Sequence, residues 1–341
     1  MNGRLTVWFL VVAAAGVSAG ALRWAARDRG RAAPPPVAAT PAPAAPGLDL
    51  RTDEPDEMID RAVLELISAA RNGAGTNLPE TAGALGGDLG APSVRRLVAF
   101  AAGPRPPAVP LPVWAATVNE IWNALRAQRA APPGLSSVLC AITRETSADA
   151  VLKDYAIQHL GAWMGAELGA GEGEPDLRVR RSVFELLHEN ALNRSVSRAG
   201  TALYSLERAA APGGPGEAAM PGLRELKAEF AAKLAAAAAE AASDERACAH
   251  VRISAFQVAV RTMDRRVAPA ARRVARDAAQ LPLVRASAIA CLGKLGGAPD
   301  VGLLESVART SRDPRLAGAL GPAIGALGGT PGQGEMPEIQ K

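Results

Sequence analysis

The sequence predicts an all-α chain, an α-solenoid of stacked helix pairs with one N-terminal transmembrane helix. Three observations lead there. A six-residue phrase, Ala-Ile-x-x-Leu-Gly, occurs at 156–161, 288–293 and 323–328, with weaker echoes at Ala202-Leu203-x-x-Leu206 and Ala255-Phe256-x-x-Ala259. The five copies begin 33 to 53 residues apart, a period that marks arrays of one repeated supersecondary unit. Apolar residues make up 48% of the chain but aromatics only 4%, and sustained β-branched alternation is almost absent, so helices are expected and strands are not. The third observation is an uncharged apolar run at 5–22.

That run, 18 residues long, is at the short end for a membrane span, and Trp8 and Trp24 fall near its ends, where amphipathic rings favour the interface. A cleaved signal peptide competes, because Ala19-Gly20-Ala21 follows the apolar core. The arginines directly after it favour an uncleaved anchor. Orientation is pulled both ways. Arg23, Arg27, Arg29 and Arg31 would hold the bulk of the chain in the cytoplasm. The short n-region at 1–4 and the Pro/Ala spacer at 32–47 fit a domain held off the outer face of a bacterial-type inner membrane, in the periplasm, and this side is preferred.

Residues 48–134 read as an N-terminal helical cap region. Thr52 to Glu57 supply capping side chains and a first-turn proline, after which Ile59, Val63, Leu66, Ile67 and Ala70 share one face as far as Asn72-Gly73. A short helix is expected near 80–85 and another over 93–102. Prolines between 103 and 112 interrupt the chain. A helix follows over 113–130, with Trp114, Val118, Ile121, Trp122 and Leu125 as core.

From 135 to 328 the pattern resolves into five helix pairs: 135–145 with 147–165, 176–191 with 193–211, 221–242 with 243–264, 267–280 with 282–296, and 299–310 with 313–328. In every pair the repeated phrase falls on the second helix. Its Ala admits a neighbouring helix, its Ile and Leu form the buried stripe, and its Gly is expected to relax the chain near the helix end. No pair can bury both of its faces alone, so neighbours must stack. The tail at 329–341 is read as disordered and without a role.

These second helices resemble those of HEAT repeats. Val251-Arg252-x-x-Ala255-Phe256 and Val284-Arg285-x-x-Ala288-Ile289 share one wording 33 residues apart. Lys153-x-x-Ala156-Ile157-x-x-Leu160-Gly161 is similar, and Asp313-Pro314-Arg315-Leu316 looks like the lead-in to such a helix. The resemblance to the HEAT-like, armadillo-type family covers 135–328 and implies an α-solenoid used for protein binding. Arg252 and Arg285 are then expected to bond an acid or carbonyl in the adjoining repeat.

Chemistry is scarce. There is no G-x-x-x-x-G-K-[ST], H-E-x-x-H, G-x-S-x-G or paired C-x-x-C, and histidine occurs only at 159, 188 and 250. Cys248 and His250, two apart on a helix, point about 200° apart and cannot share one ion unaided. His159 and His188 are expected to bond between helices. Cys140, Cys248 and Cys291 are too few for a disulfide framework. No catalytic residue, metal ligand or cofactor is therefore expected.

Of 38 basic residues only five are lysine. A basic run between 252 and 285 supplies the candidate partner contacts: Arg261, Arg265, Arg272 and Arg276. The reading is a membrane-anchored, non-catalytic scaffold for an unidentified protein partner. One alternative is anionic lipid or nucleic acid on an Arg-rich face, although interleaved aromatics and recognised modules for nucleic acid are missing. A HEAT-like, lyase-related enzyme is the other.

Overall fold

Helix is the only extended secondary structure among the described residues, which are 57–71, 85, 87–128, 132, 134–165, 177–212 and 221–329 of a computed structural model. All lie within one unit, Ala45–Lys341. The expected anchor at 5–22, the linker at 23–47, the capping run at 52–56, most of the 80–85 helix and the tail after Gly329 fall outside them. No helix among the described residues is long and apolar enough to cross a membrane.

Thirteen α-helices are described. The first three are α1 (Glu57–Arg71), α2 (Ala91–Ala102) and α3 (Leu111–Arg126). Then come α4 (Leu135–Arg144), α5 (Ala150–Gly165), α6 (Leu177–Leu192), α7 (Arg198–Ala210) and α8 (Pro221–Ser243). The rest are α9 (Ala249–Arg261), α10 (Ala268–Arg276), α11 (Pro282–Leu295), α12 (Pro299–Thr310) and α13 (Pro314–Ala326). A 3-10 turn, Arg265–Val267, leads into α10.

Several ends fall inside the expected ranges, and polar side chains explain why. Asp149 Oδ1 accepts the N–H of Val151 at 2.8 Å, which starts α5 three residues after Ser147. Asp244 Oδ1 accepts the N–H of Arg246, which holds a turn where α9 was expected to begin. Asp277 Oδ1 accepts the N–H of Ala279 and ends α10 at Arg276 rather than 280.

The helices form two layers. Helices α2, α4, α6, α8, α10 and α12 each touch the next in that series, and so do α3, α5, α7, α9, α11 and α13. Each first-layer helix also packs on its successor in the chain, so α2/α3 continues the stack of hairpins below residue 135. Helix α1 lies against α3 and α2. Buried residues run through this stack as one core, from Ile59 through Trp122, Phe184, Phe256 and Ile289 to Ile324.

Two second-layer joints, α5 on α7 and α11 on α13, pack through small groups. The phrase's glycine was expected at a helix end, and only Gly328 fits, with φ of 82°. Gly161 and Gly293 lie inside α5 and α11, where the absence of a side chain lets the next helix approach. A Cβ on Gly161 would stand 2.4 Å from the Cβ of Ser205 on α7, and one on Gly293 would stand 2.7 Å from the Cα of Ala323 on α13. Ser205 uses the proximity to donate its hydroxyl to the carbonyl of Ile157 at 2.9 Å.

The first layer packs through large groups. Phe184 on α6 and Phe230 on α8 stack in parallel with ring centroids 3.7 Å apart, both fully buried. Leu223, Leu226 and Leu234 line the same side of α8 and are also buried. Ion pairs span this layer, Arg181 with Glu229 at 2.8 Å and Arg272 with Asp300 at 2.6 Å.

Candidate functional site

The four arginines come from three successive pieces of chain, and each has a different environment. Arg261 is the last residue of α9. Its guanidinium sits 4.7 Å from the centroid of the Tyr204 ring and bonds to Glu207, both on α7. The Tyr204 hydroxyl donates to Gln257 on α9. These four residues clasp α7 to α9, so most of the charge of Arg261 is answered within the molecule.

Arg265 is exposed on the 3-10 turn before α10. Its neighbour Arg266 lies beside it in sequence but forks back onto Asp264 at 2.9 and 3.0 Å.

Arg272, in mid-α10, is committed across the layer. Its Nε and Nη2 donate to the two carboxylate oxygens of Asp300 at 2.6 and 2.9 Å, a bidentate pair. Asp300 is 3% exposed and also accepts the N–H of Gly297 at 3.0 Å. The guanidinium of Arg272 is the main reason its carboxyl is held below the ordinary value, with the Gly297 bond and the charge of Arg276 contributing.

Arg276 ends α10 and is exposed. Eleven residues separate it from Arg265, a distance on the order of 15 Å along a helix. The four differ in availability: Arg261 and Arg272 are held in ion pairs, while Arg265 and Arg276 are exposed.

Arg276 borders a cleft of about 770 Å³, together with Arg285, Ser306, Thr310, Arg312 and Asp313. Arg285 forms part of its wall and gives two bonds to the carbonyl of Ala275, at 3.3 and 3.1 Å. The expected carbonyl partner is there, but in the first helix of the same hairpin rather than an adjoining one. Arg252 does reach the next hairpin, donating to the side-chain oxygen of Gln280 at 2.6 Å. Lys153 holds the equivalent position on α5 and is likewise buried.

His159 bonds between helices as expected, its Nε2 lying 3.0 Å from Asn119 Oδ1 on α3. Burial pushes this imidazole down to about 3, so it stays neutral at ordinary pH. His188 differs, since its ring lies parallel to Phe184 one turn earlier on its own helix. His250 packs at Gly200, a Cβ on which would meet its Cδ2 at 2.6 Å. Among the described residues no three His, Cys, Asp or Glu side chains group as a metal site.

Sequence reasoning missed Asp300 and the cleft. Pro299-Asp300 reads as the start of a helix, and nothing nearby marks a partner 28 residues earlier. The cleft lies at the early end of α10, whose signal was the Asp277-x-Ala279 turn.

No family model matches the chain, and no curated protein matches it. Two solved structures are similar over 80% of its length. One is an engineered protein, 14% identical with a TM-score of 0.35, of which 98% is covered. The other is human deoxyhypusine hydroxylase in complex with glycerol, 15% identical with a TM-score of 0.29, of which 96% is covered.

Proposed function

We propose that the chain is a HEAT-like α-solenoid acting as a non-catalytic scaffold that presents its surface to a protein partner. In this reading residues 5–22 anchor it as a single-pass protein in a bacterial-type inner membrane, with the solenoid on the periplasmic side.

One observation carries the proposal. Each hairpin rests on its neighbours in both layers, so the chain invests its burial in length rather than in an enclosed site. The buried polar groups support the same reading, because they join helices. His159 bonds to Asn119, Arg180 donates to the Met164 carbonyl at 3.1 Å, and Arg285 donates to Ala275.

The test is photo-crosslinking in intact cells, from positions such as Gln257 on the second layer and Arg178 on the first. Saturable adducts to one protein, confined to one layer, are the expected result. An absence of protein adducts from positions covering both layers would sink the scaffold reading. Alkaline phosphatase and green fluorescent protein, fused separately after Lys341, report the side: phosphatase activity without fluorescence is expected. The reverse would place the solenoid in the cytoplasm.

A further inference from the structure

We propose that the cleft between α10 and α12 binds an extended, carboxylate-rich segment of the partner protein. This rests on the scaffold reading and names the chemistry of its contact.

The cleft lies where α10 stops at Arg276 beside the longer α12. Helix α10 has nine residues and stops at Arg276, while α12 has twelve and runs to Thr310. The recess beside the end of α10 has a volume of about 770 Å³, within the range of ligand sites, roughly 300–1,000 Å³.

Its exposed charge is unbalanced, whereas two other arginines of this layer are answered by carboxylates. Arg181 pairs with Glu229, and Arg194 pairs with Glu240 and Asp244. A smaller recess of about 350 Å³ between α6 and α8 holds the Arg181–Glu229 pair and is lined by Arg178, Glu185 and Glu225 as well, so carboxylates outnumber arginines there. At the larger cleft the carboxylates are already committed: Asp300 to Arg272 and Gly297, and Asp313 to Arg315 at 2.8 Å. Arg276 and Arg312 are both exposed, and neither has a carboxylate within ion-pair distance among the described residues.

The arrangement suits a chain better than a small anion. Arg276 ends α10 and Arg312 follows α12, so the two arginines that line the cleft come from different elements. The same cleft is lined by the apolar side chains of Leu303 and Val307 and by Ser311. Ser311 Oγ accepts the N–H of Asp313 at 3.4 Å, which leaves its own proton to donate. A segment with carboxylates spaced along an extended backbone meets both arginines, which can bind carboxylate with two parallel bonds each.

The experiment uses the full-length chain in detergent and a fluorescein-labelled (Gly-Glu)4 peptide, with (Gly-Lys)4 as control, read by fluorescence anisotropy. Saturable binding of the glutamate peptide is expected, weakening with salt. In R276E/R312E it should weaken by at least about tenfold, since charge-assisted bonds are lost and like charges introduced. In R265E, whose arginine is exposed outside the cleft, affinity should stay within about twofold. Unchanged circular dichroism verifies folding, and R276Q/R312Q serves if the glutamate variant does not fold. Absent binding, or equal affinity in the double variant, overturns the proposal. Displacement of the peptide by low-millimolar inorganic phosphate overturns it in favour of a small-anion site. Crosslinking to the partner that survives in R276E/R312E would remove the cleft and leave the scaffold standing.

Discussion

The two layers of this stack obey different rules. Second-layer helices keep nearly constant length: α5 and α3 have 16 residues, α11 has 14, and α7, α9 and α13 have 13. First-layer helices range from the nine residues of α10 to the 23 of α8. The uniform layer is the one where backbones nearly touch, at Gly161 against Ser205 and Gly293 against Ala323. The variable layer carries the Phe184–Phe230 stack and the Arg181–Glu229 and Arg272–Asp300 pairs. Rings and an ion pair also join second-layer helices, at Trp122–His159 and Glu207–Arg261. Close approach fixes register along a whole helix, whereas side chains at a distance tolerate a helix that stops early or runs on. The cleft beside α10 lies in this variable layer.

Four substitutions probe the difference. The largest effect is expected in the first layer, where Phe230→Ala removes a fully buried ring from the stack with Phe184. The cost should be about 3–5 kcal/mol in urea unfolding. A loss below ~1 kcal/mol would mean that ring packing is not what holds this layer.

In the second layer the smallest possible addition should harm the protein. Gly161→Ala must push α5 off the backbone of Ser205, whose Cα lies 2.5 Å from the added carbon, at a cost of about 1–3 kcal/mol. Stabilisation instead would show that this joint has room to spare.

Asp300→Asn gives a smaller effect with a pH signature. Because its carboxyl is held below the ordinary value, its contribution of about 1–2 kcal/mol is complete above roughly pH 4 and is lost as pH falls through its own lower value. The variant should lose stability at neutral pH and show a shallower decline on acidification. Parallel acid limbs in variant and parent would detach Asp300 from the α10–α12 contact.

The smallest effect has the opposite sign. A Cβ on Gly325 of α13 meets nothing within 4 Å, so Gly325→Ala should stabilise by about 0.5–1 kcal/mol through the entropy of the unfolded chain. The same substitution would then harm α5 and help α13. A destabilised Gly325→Ala protein would reveal a neighbour that covers this face.

Much of the second layer was legible in advance, because Ala, Ile and Leu at helical spacing describe one helix's own buried face. Trp114 and Trp122 were legible as core for the same reason. What one helix does to another was harder to read. The glycine of the phrase suits a helix end and a close crossing equally, and only the partners Ser205 and Ala323 decide between them. The arginines looked alike as a run, yet one is clasped by Glu207, one is locked by Asp300 and one faces a cleft. Those fates depend on contacts 28 and 54 residues away in sequence. Helix ends moved wherever one aspartate side chain could capture a nearby N–H, as Asp149, Asp244 and Asp277 do.

Burial of two cysteines has a chemical consequence for where such a chain can live. Cys140 and Cys291 are enclosed by the core, which pushes their thiols up to about 11 and about 12. At neutral pH both are therefore overwhelmingly thiols rather than thiolates. Oxidants and disulfide exchange need the thiolate, so both positions are slow to react on either side of a membrane. Cys248, half-buried at the head of α9, is the thiol a reagent meets first. The fold therefore owes nothing to the redox state of its surroundings, and a maleimide label would enter at one place.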